Sequence, residues 1–380
     1  MNRQPVKKRV VVVGGGGAGA SIVRGLVKVL DPSKHELILI TSRPQYAHLP
    51  AALRVLVDED TPINTLFMPY DTIFDHFPAK LVIGCISSID ENKSLQGGRL
   101  ILKTGEQIVY DILAVATGSR WDGCLSFPSE QDLYEEHIRI WRNKFAKAHD
   151  IVIVGGGAVG IEAAGEIKDV YPDKSVTIVH NENYLMNDIY PRKFRMDLER
   201  RLRLRGINVI VDDAVEGQPR VDGRMPLKTR NGASLRCDLL IAARGTTPNT
   251  SLFNFILPTP LGSNGYVQVG STLQVRGHPS IFAAGDIINV PEVKQLVKTT
   301  AHAAVVVANI VSYLRNEQPK KVWKPGKEMI IVSNGRNGGG AYLGVLWGLK
   351  FGDMFSKLIN SRDLFVEHAR KNLGLPVHSN

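Results

Sequence analysis

The stretch Arg9-Val-Val-Val-Val13, followed by Gly14-Gly-Gly-Gly-Ala-Gly19, decides how this chain folds. A run of β-branched residues reads as a buried strand, the glycines as a tight turn, and the apolar periodicity out to Leu30 as a helix. Gly14, Gly16 and Gly19 are spaced as GxGxxG. There the first glycine permits the turn, the second lets a pyrophosphate approach the backbone, and the third lets helix and strand pack closely. Gly17 belongs to the same cradle, where free N–H groups and a partial positive charge meet phosphate. The following strand, Glu36–Thr41, ends without a carboxylate for the ribose hydroxyls. Thr41 stands there instead, and its hydroxyl lacks the bidentate acceptor geometry of a carboxylate, so the adenosine half needs other contacts.

The pattern returns at Asp150-Ile-Val-Ile-Val154 and Gly155-Gly-Gly-Ala-Val-Gly160. Gly155, Gly157 and Gly160 form a second cradle, and His180 closes the strand after it, Ser175–His180. No acidic residue at that strand end repels a 2′-phosphate, and no arginine follows before Arg192. The spacing therefore admits NADH and NADPH, with NADH favoured. Glu162, read on the first turn of the Ile161–Val170 helix, faces the expected nicotinamide position. It is the candidate catalytic residue, as a hydrogen-bond partner or proton carrier. The plainer alternative is a carboxylate complementing the helix dipole.

Each unit continues with short strands: Leu81–Gly84, Ile101–Thr104 and Tyr110–Ala116 in the first, Val209–Val211, Leu227–Thr229 and Leu239–Ala243 in the second. Strand-like alternation resumes over Gly265–Asp286, with Tyr266, Val267 and Val269 and then Ile281–Ala284. A helix over Thr299–Leu314 should pack back on the first unit, with its N-terminus near Thr299–His302. Pro319–Pro325 reads as a linker, and a third region carries a turn at Gly335–Gly340 and helical spacing at Met354, Phe355, Leu358 and Ile359. The expected fold is α/β: two Rossmann-like dinucleotide-binding domains plus a small C-terminal region. The expected division is 1–122 with 250–327, 123–249, and 328–380.

Composition narrows the function. The chain has 380 residues, a net charge of +10 and 43% hydrophobic residues, as an ordinary globular protein does. Cys85, Cys124 and Cys237 are far apart, so neither a redox dithiol nor a metal site is expected. The apolar runs Ala303–Ala308 and Val345–Leu349 are short for a membrane span, Val10–Val13 is short for a leader, and Asn2 stands where myristoylation needs glycine. These features point to a cytoplasmic protein.

Three further motifs complete an ordered set. Ala116-Thr117-Gly118 and Gly245-Thr-Thr-Pro-Asn249 end strands at the two domain crossovers, and Ile281-Phe-Ala-Ala-Gly-Asp286 ends a buried strand in a carboxylate. The order GxGxxG, ATG, GxGxxGxE, GxxPN, GD resembles the two-dinucleotide-binding-domain flavoprotein family, of the pyridine nucleotide-disulfide reductase type without the dithiol. Ala51-Ala-Leu-Arg54 and Ser361-Arg-Asp-Leu-Phe-Val366 are similar to its apoptosis-inducing-factor-like branch of the ferroptosis-suppressor type. That resemblance implies FAD on the first unit, NADH or NADPH as donor on the second, and a quinone-like acceptor. It implies cofactor-binding roles for Arg54, Val82, Thr117, Gly118, Gly245 and Asp286, and it places His302 near the flavin. It also implies peripheral contact with a membrane or lipid-droplet surface, in a monomer or homodimer. Thr41 and Asn360 are departures, since the branch often carries Asp and Lys there.

Two segments keep an alternative open. Pro191–Gly206 holds Arg192, Lys193, Arg195, Arg200, Arg201, Arg203 and Arg205 on an amphipathic helix. It reads first as a solvated surface helix and second as a polyanion site. The apolar C-terminal run, Tyr342 to Phe351, is either a quinone tunnel, a membrane-facing patch or a packing surface. The competing function is therefore a flavin-binding signalling or nucleic-acid-binding protein with weak catalysis.

Overall fold

The computed structural model describes residues 6–92, 97–217, 226–345, 348–356 and 363–377. Leu346, Trp347, Leu358, Ile359, Asn360 and Ser361 lie outside the described residues.

Val10–Val13 is buried on both faces because it is the interior of a parallel sheet. The strand Lys8–Val13 pairs with His35–Thr41 on one side and Ile112–Val115 on the other. Lys80–Ile83 extends one edge; His278–Ala283 and then Gln274–Val275 extend the other. The second unit repeats this inner order. Asp150–Val154 lies between Ser175–Val179 and Leu239–Ala242, with Ile207–Ile210 beyond, all parallel. The duplication read from the glycines is thus a duplication of sheet topology. A third, antiparallel sheet joins Met329–Ser333, Gly339–Leu343 and Leu349–Phe351. It packs on the second unit through Tyr342, whose ring lies 6.0 Å from Tyr190 and 5.9 Å from Phe194.

Several elements differ from the sequence expectation. The first helix is Gly17–Leu26, because Asp31-Pro32 follow and only isolated turns continue to Leu30. Tyr110–Ala116 is two strands. It breaks at Asp111, whose carboxylate accepts from the Arg9 backbone N–H (2.7 Å) and from Lys8 Nζ (3.0 Å). Gln107–Tyr110 then joins a small antiparallel sheet, and Ile112–Val115 enters the parallel one. Tyr266–Val269 makes only isolated bridges. The late helix starts at Leu296, so His302 sits in its second turn rather than at its N-terminus.

That helix, Leu296–Leu314, is long and apolar enough to cross a membrane by length and composition, which the shorter runs did not suggest. It lies along Gly17–Leu26, and Gly25 admits Val307: a Cβ there would stand 2.8 Å from Val307 Cγ2. The short helix Ala52–Val57 belongs to the first unit in sequence yet packs into the core of the second. This exchange brings Arg54 to the second unit.

Candidate functional site

Both glycine loops are built alike. Gly14 and Gly155 have φ of +104° and +115°, and a Cβ on either would fall on a carbonyl oxygen, of Ala116 or Ala243. A Cβ on Gly19 or Gly160 would fall on the Gly14 or Gly155 carbonyl, so helix and turn touch through bare backbone. Gly16 and Gly157 are different: around each, the Cβ position has no protein atom within 4 Å. These are also the N-cap residues, and neither helix has a side-chain cap. Each loop is thus an open cradle with unsatisfied N–H groups, as a diphosphate needs. Gly17 is closer to neighbours: Leu296 crosses the space a side chain there would take.

Thr41 is buried beside the first loop at the end of its strand. Tyr70, which the sequence pattern did not single out, donates from Oη to the Gly15 carbonyl (2.8 Å) and covers that glycine. Val82 is half-buried on the adjoining strand, opposite Ile40. In the second loop the equivalent cover is His180. Its Nδ1 accepts from the Gly156 N–H (3.1 Å), and burial lowers its pKa.

The two crossover motifs meet. Ser119–Arg120 pairs antiparallel with Thr247–Pro248, Thr117 Oγ1 donates to the Asn249 carbonyl (2.6 Å), and Asn249 N–H returns to the Gly118 carbonyl (2.9 Å). Gly118 and Gly245 have φ of +67° and +100° and open surroundings. Ser119 Oγ donates to Asp286 Oδ2 (2.7 Å). Behind Asp286, the buried His302 accepts at Nδ1 from the Gly285 N–H (3.2 Å). Its Nε2 lies 2.9 Å from Glu292 Oε1, and its ring meets Trp323 edge-on.

The carboxylates sit on one helix, Ala158–Val170. Because it starts at Ala158, Glu162 occupies the second turn, beyond the first-turn position expected, and it does not cap the dipole. Its Oε1 accepts from Ser333 twice, from the backbone N–H and from Oγ, each at 3.2 Å. Burial pushes its carboxyl up to about 7, Glu166 adds to this, and the Ser333 bonds and Arg54 oppose it. A group poised near 7 can hold or release a proton under ordinary conditions. Arg54 is buried and grips Glu166 with both fork nitrogens, Nε to Oε2 (3.0 Å) and Nη2 to Oε1 (2.8 Å). The pair ties the two units together beside Glu162.

The basic helix, Arg192–Leu204, spends most of its charge internally. Arg195 is buried against the carbonyls of Tyr184, Leu185 and Met186. Arg200 and Arg201 share Asp197, Arg203 pairs with Glu199, and Arg205 with Asp169. A polyanion would have to displace these partners. Cys124 is buried, with its thiol held above the ordinary range by burial, and no group of three or more metal-ligating side chains converges among the described residues.

Comparison with known proteins agrees with this geometry. Residues 8–305 match the family described as pyridine nucleotide-disulphide oxidoreductase. An FAD-dependent oxidoreductase of Flammulina velutipes, FVFD30, is 39% identical over 83% of this chain and 98% of its own length. Ferroptosis suppressor protein 1 of Homo sapiens is 32% identical over 96% of this chain and 95% of its own. Among solved structures, a sulfide:quinone oxidoreductase of Aquifex aeolicus shares the fold, with a TM-score of 0.75 at 16% identity, covering 98% of this chain and 93% of that one. The two bare cradles fit the two nucleotides such proteins use, and the chain belongs to the pyridine nucleotide-disulphide oxidoreductase family, FAD- and nicotinamide-nucleotide-dependent as a class.

Proposed function

We propose that this protein is an NAD(P)H oxidoreductase that passes electrons through FAD to a quinone-like acceptor. The observation that carries the reading is the matched pair of open cradles at Gly16 and Gly157, one in each unit, with Glu162 on the helix that starts at the second. Bound FAD would take a hydride from the nicotinamide and pass electrons on; that chemistry is the cofactor's. The protein supplies the rest.

In this reading 1–122 with 250–327 holds FAD, 123–249 holds the nicotinamide nucleotide, and 328–380 is a small C-terminal region. Gly14, Gly16, Gly17 and Gly19 hold the FAD diphosphate, and Thr41 and Val82 border its adenosine. Asp286 accepts from a ribityl hydroxyl, and Thr117 and Gly118 fix the crossover beside it. His302 positions the Gly285–Asp286 turn. Gly155, Gly157 and Gly160 hold the donor diphosphate, with His180 bracing the loop and Gly245 bordering it. Glu162 orients the nicotinamide carboxamide or carries the proton that a quinone needs in addition to the hydride. Arg54 steadies the carboxylate pair. With no carboxylate at either strand end, both donors are accepted, NADH preferentially.

An apolar acceptor suits the exposed Leu296, Val297 and Met329, which lie beside Gln295 where its amide bonds the Met329 carbonyl (2.8 Å). Such an acceptor dissolves in lipid, so the reading includes a cytoplasmic protein with peripheral contact to a membrane or lipid surface. The test is steady-state turnover with NADH and NADPH against a short-chain quinone, ferricyanide and a ferredoxin-type protein. Quinone turnover lost in Glu162→Ala supports the reading. Turnover confined to the protein acceptor excludes the quinone.

A further inference from the structure

The helix that carries Glu162 presents residues 162, 165 and 169 on one face, and the turn between the first two strands of the third sheet runs along that face. Ser333 donates twice to Glu162 at one end. In the middle the two backbones meet: a Cβ on Gly165 would fall on the Gly335 N–H, so only glycine permits this approach. At the far end Asp169 accepts the Arg336 backbone N–H and pairs with Arg205, which also bonds Asn334. The Arg336 side chain reaches across to Asp58 of the first unit. Gly335 has φ of +74°, which lets the turn keep this course.

We propose that this turn is a positioning device for Glu162, with Ser333 as its positioning residue. This rests on the role given to Glu162 above. A carboxylate with free rotors would sample several directions; two donors from one residue fix which oxygen faces inward and which is left for the nicotinamide side. The charged groups facing Glu162 are Glu166 on its own helix and Arg54 on the Ala52–Val57 helix. The Arg336–Asp58 and Arg205–Asp169 pairs flank the turn and are already satisfied. Ser333 is therefore the neutral donor that sets the balance between the carboxylate and its protonated form. Through Ser333 the third region thereby acts on the chemistry of the second unit.

The test uses the flavin-loaded full chain and follows flavin bleaching by NADH in stopped flow across a pH series. It compares wild type, Glu162→Gln, Ser333→Ala, Ser333→Thr and Gly165→Ala. Wild type should show a limb that Glu162→Gln removes. Ser333→Ala deletes a donor to the charged form, so the midpoint should move up by roughly half to one pH unit. Ser333→Thr, which keeps the hydroxyl, should restore it. Gly165→Ala pushes the turn off the helix and should move the limb in the same direction and further. A limb present and removed by Glu162→Gln, yet unmoved in Ser333→Ala, overturns this proposal and leaves the role of Glu162 standing. Absence of any such limb overturns both.

Discussion

The two nucleotide units share a backbone and differ in what they place on it. Their loops agree glycine for glycine: a turn that only glycine makes at Gly14 and Gly155, an open point at Gly16 and Gly157, and a bare contact at Gly19 and Gly160. The helices that follow do not agree. Gly17–Leu26 carries no acidic residue and lies against the apolar Leu296–Leu314 helix. Ala158–Val170 carries Glu162 and Glu166, and it meets an arginine from the first unit and a serine from the third region. The first unit is closed around its cradle by its own elements; the second is completed by its neighbours. In the proposed reading, a few side chains turn a duplicated fold into one site that holds the flavin and one that holds and orients its donor, which is where function resides on a shared scaffold.

The largest break in this contrast is expected at Arg54. Arg54→Ala would leave Glu166 charged, buried and unpaired, at a cost of about 3–5 kcal/mol. Thermal or denaturant unfolding should show that loss. Arg54→Ala with Glu166→Gln should recover much of it, because the stranded charge is gone.

Glu162 should act in the opposite sense. Its carboxyl is raised above the unfolded value of 4.5 to about 7, so burial favours the protonated form. The stabilising contribution is complete below the unfolded pKa and disappears as pH rises from 4.5 through about 7. Glu162→Gln should accordingly stabilise the protein at alkaline pH by on the order of 2 kcal/mol, a gain that fades on acidification. A melting series against pH measures it.

The open glycines sharpen the division of labour. Alanine at Gly16 or Gly157 meets no protein atom, so each variant should fold normally while filling its own cradle. Gly16→Ala should lower flavin retention about tenfold and leave the donor KM alone; Gly157→Ala should raise the donor KM about tenfold and leave the flavin in place. Smallest of all, Arg200→Ala removes an exposed pair with Asp197 and should change stability by under about 0.5 kcal/mol. Its affinity for DNA, measured across a salt series, should equal that of wild type.

The fold was legible because its signals are local. A β-branched run, a glycine at positive φ and a helix must be contiguous, and both units announce them within a dozen residues. Strand limits were less legible where one residue's partner decides them. Tyr110–Ala116 reads as one strand in sequence, apolar except for Asp111, and it is Asp111, called on by Lys8 and Arg9 from another strand, that divides it. The candidate site divides the same way. The glycines, Asp286 and Glu162 stand in spaced motifs. Tyr70 over Gly15, Glu166 on Arg54 and Ser333 on Glu162 join positions 55, 112 and 171 residues apart. No periodicity links such positions; only tertiary packing brings them together, within the first unit for Tyr70 and between units for Arg54 and Ser333. The basic helix shows the converse. The seven cations of Pro191–Gly206 read in sequence first as a solvated face and second as a surface for polyanions, and Asp197 and Glu199, with Asp169 nearby, pair with Arg200, Arg201, Arg203 and Arg205.

The central claim, that the first cradle holds a flavin which the second unit's nucleotide reduces, is tested most directly by an anaerobic titration of the purified protein, read by visible absorbance. The flavin bands should bleach on addition of NADH, less readily with NADPH, and return when a quinone is added. A colourless protein that takes up no FAD, or a bound flavin that neither nucleotide bleaches, would contradict it.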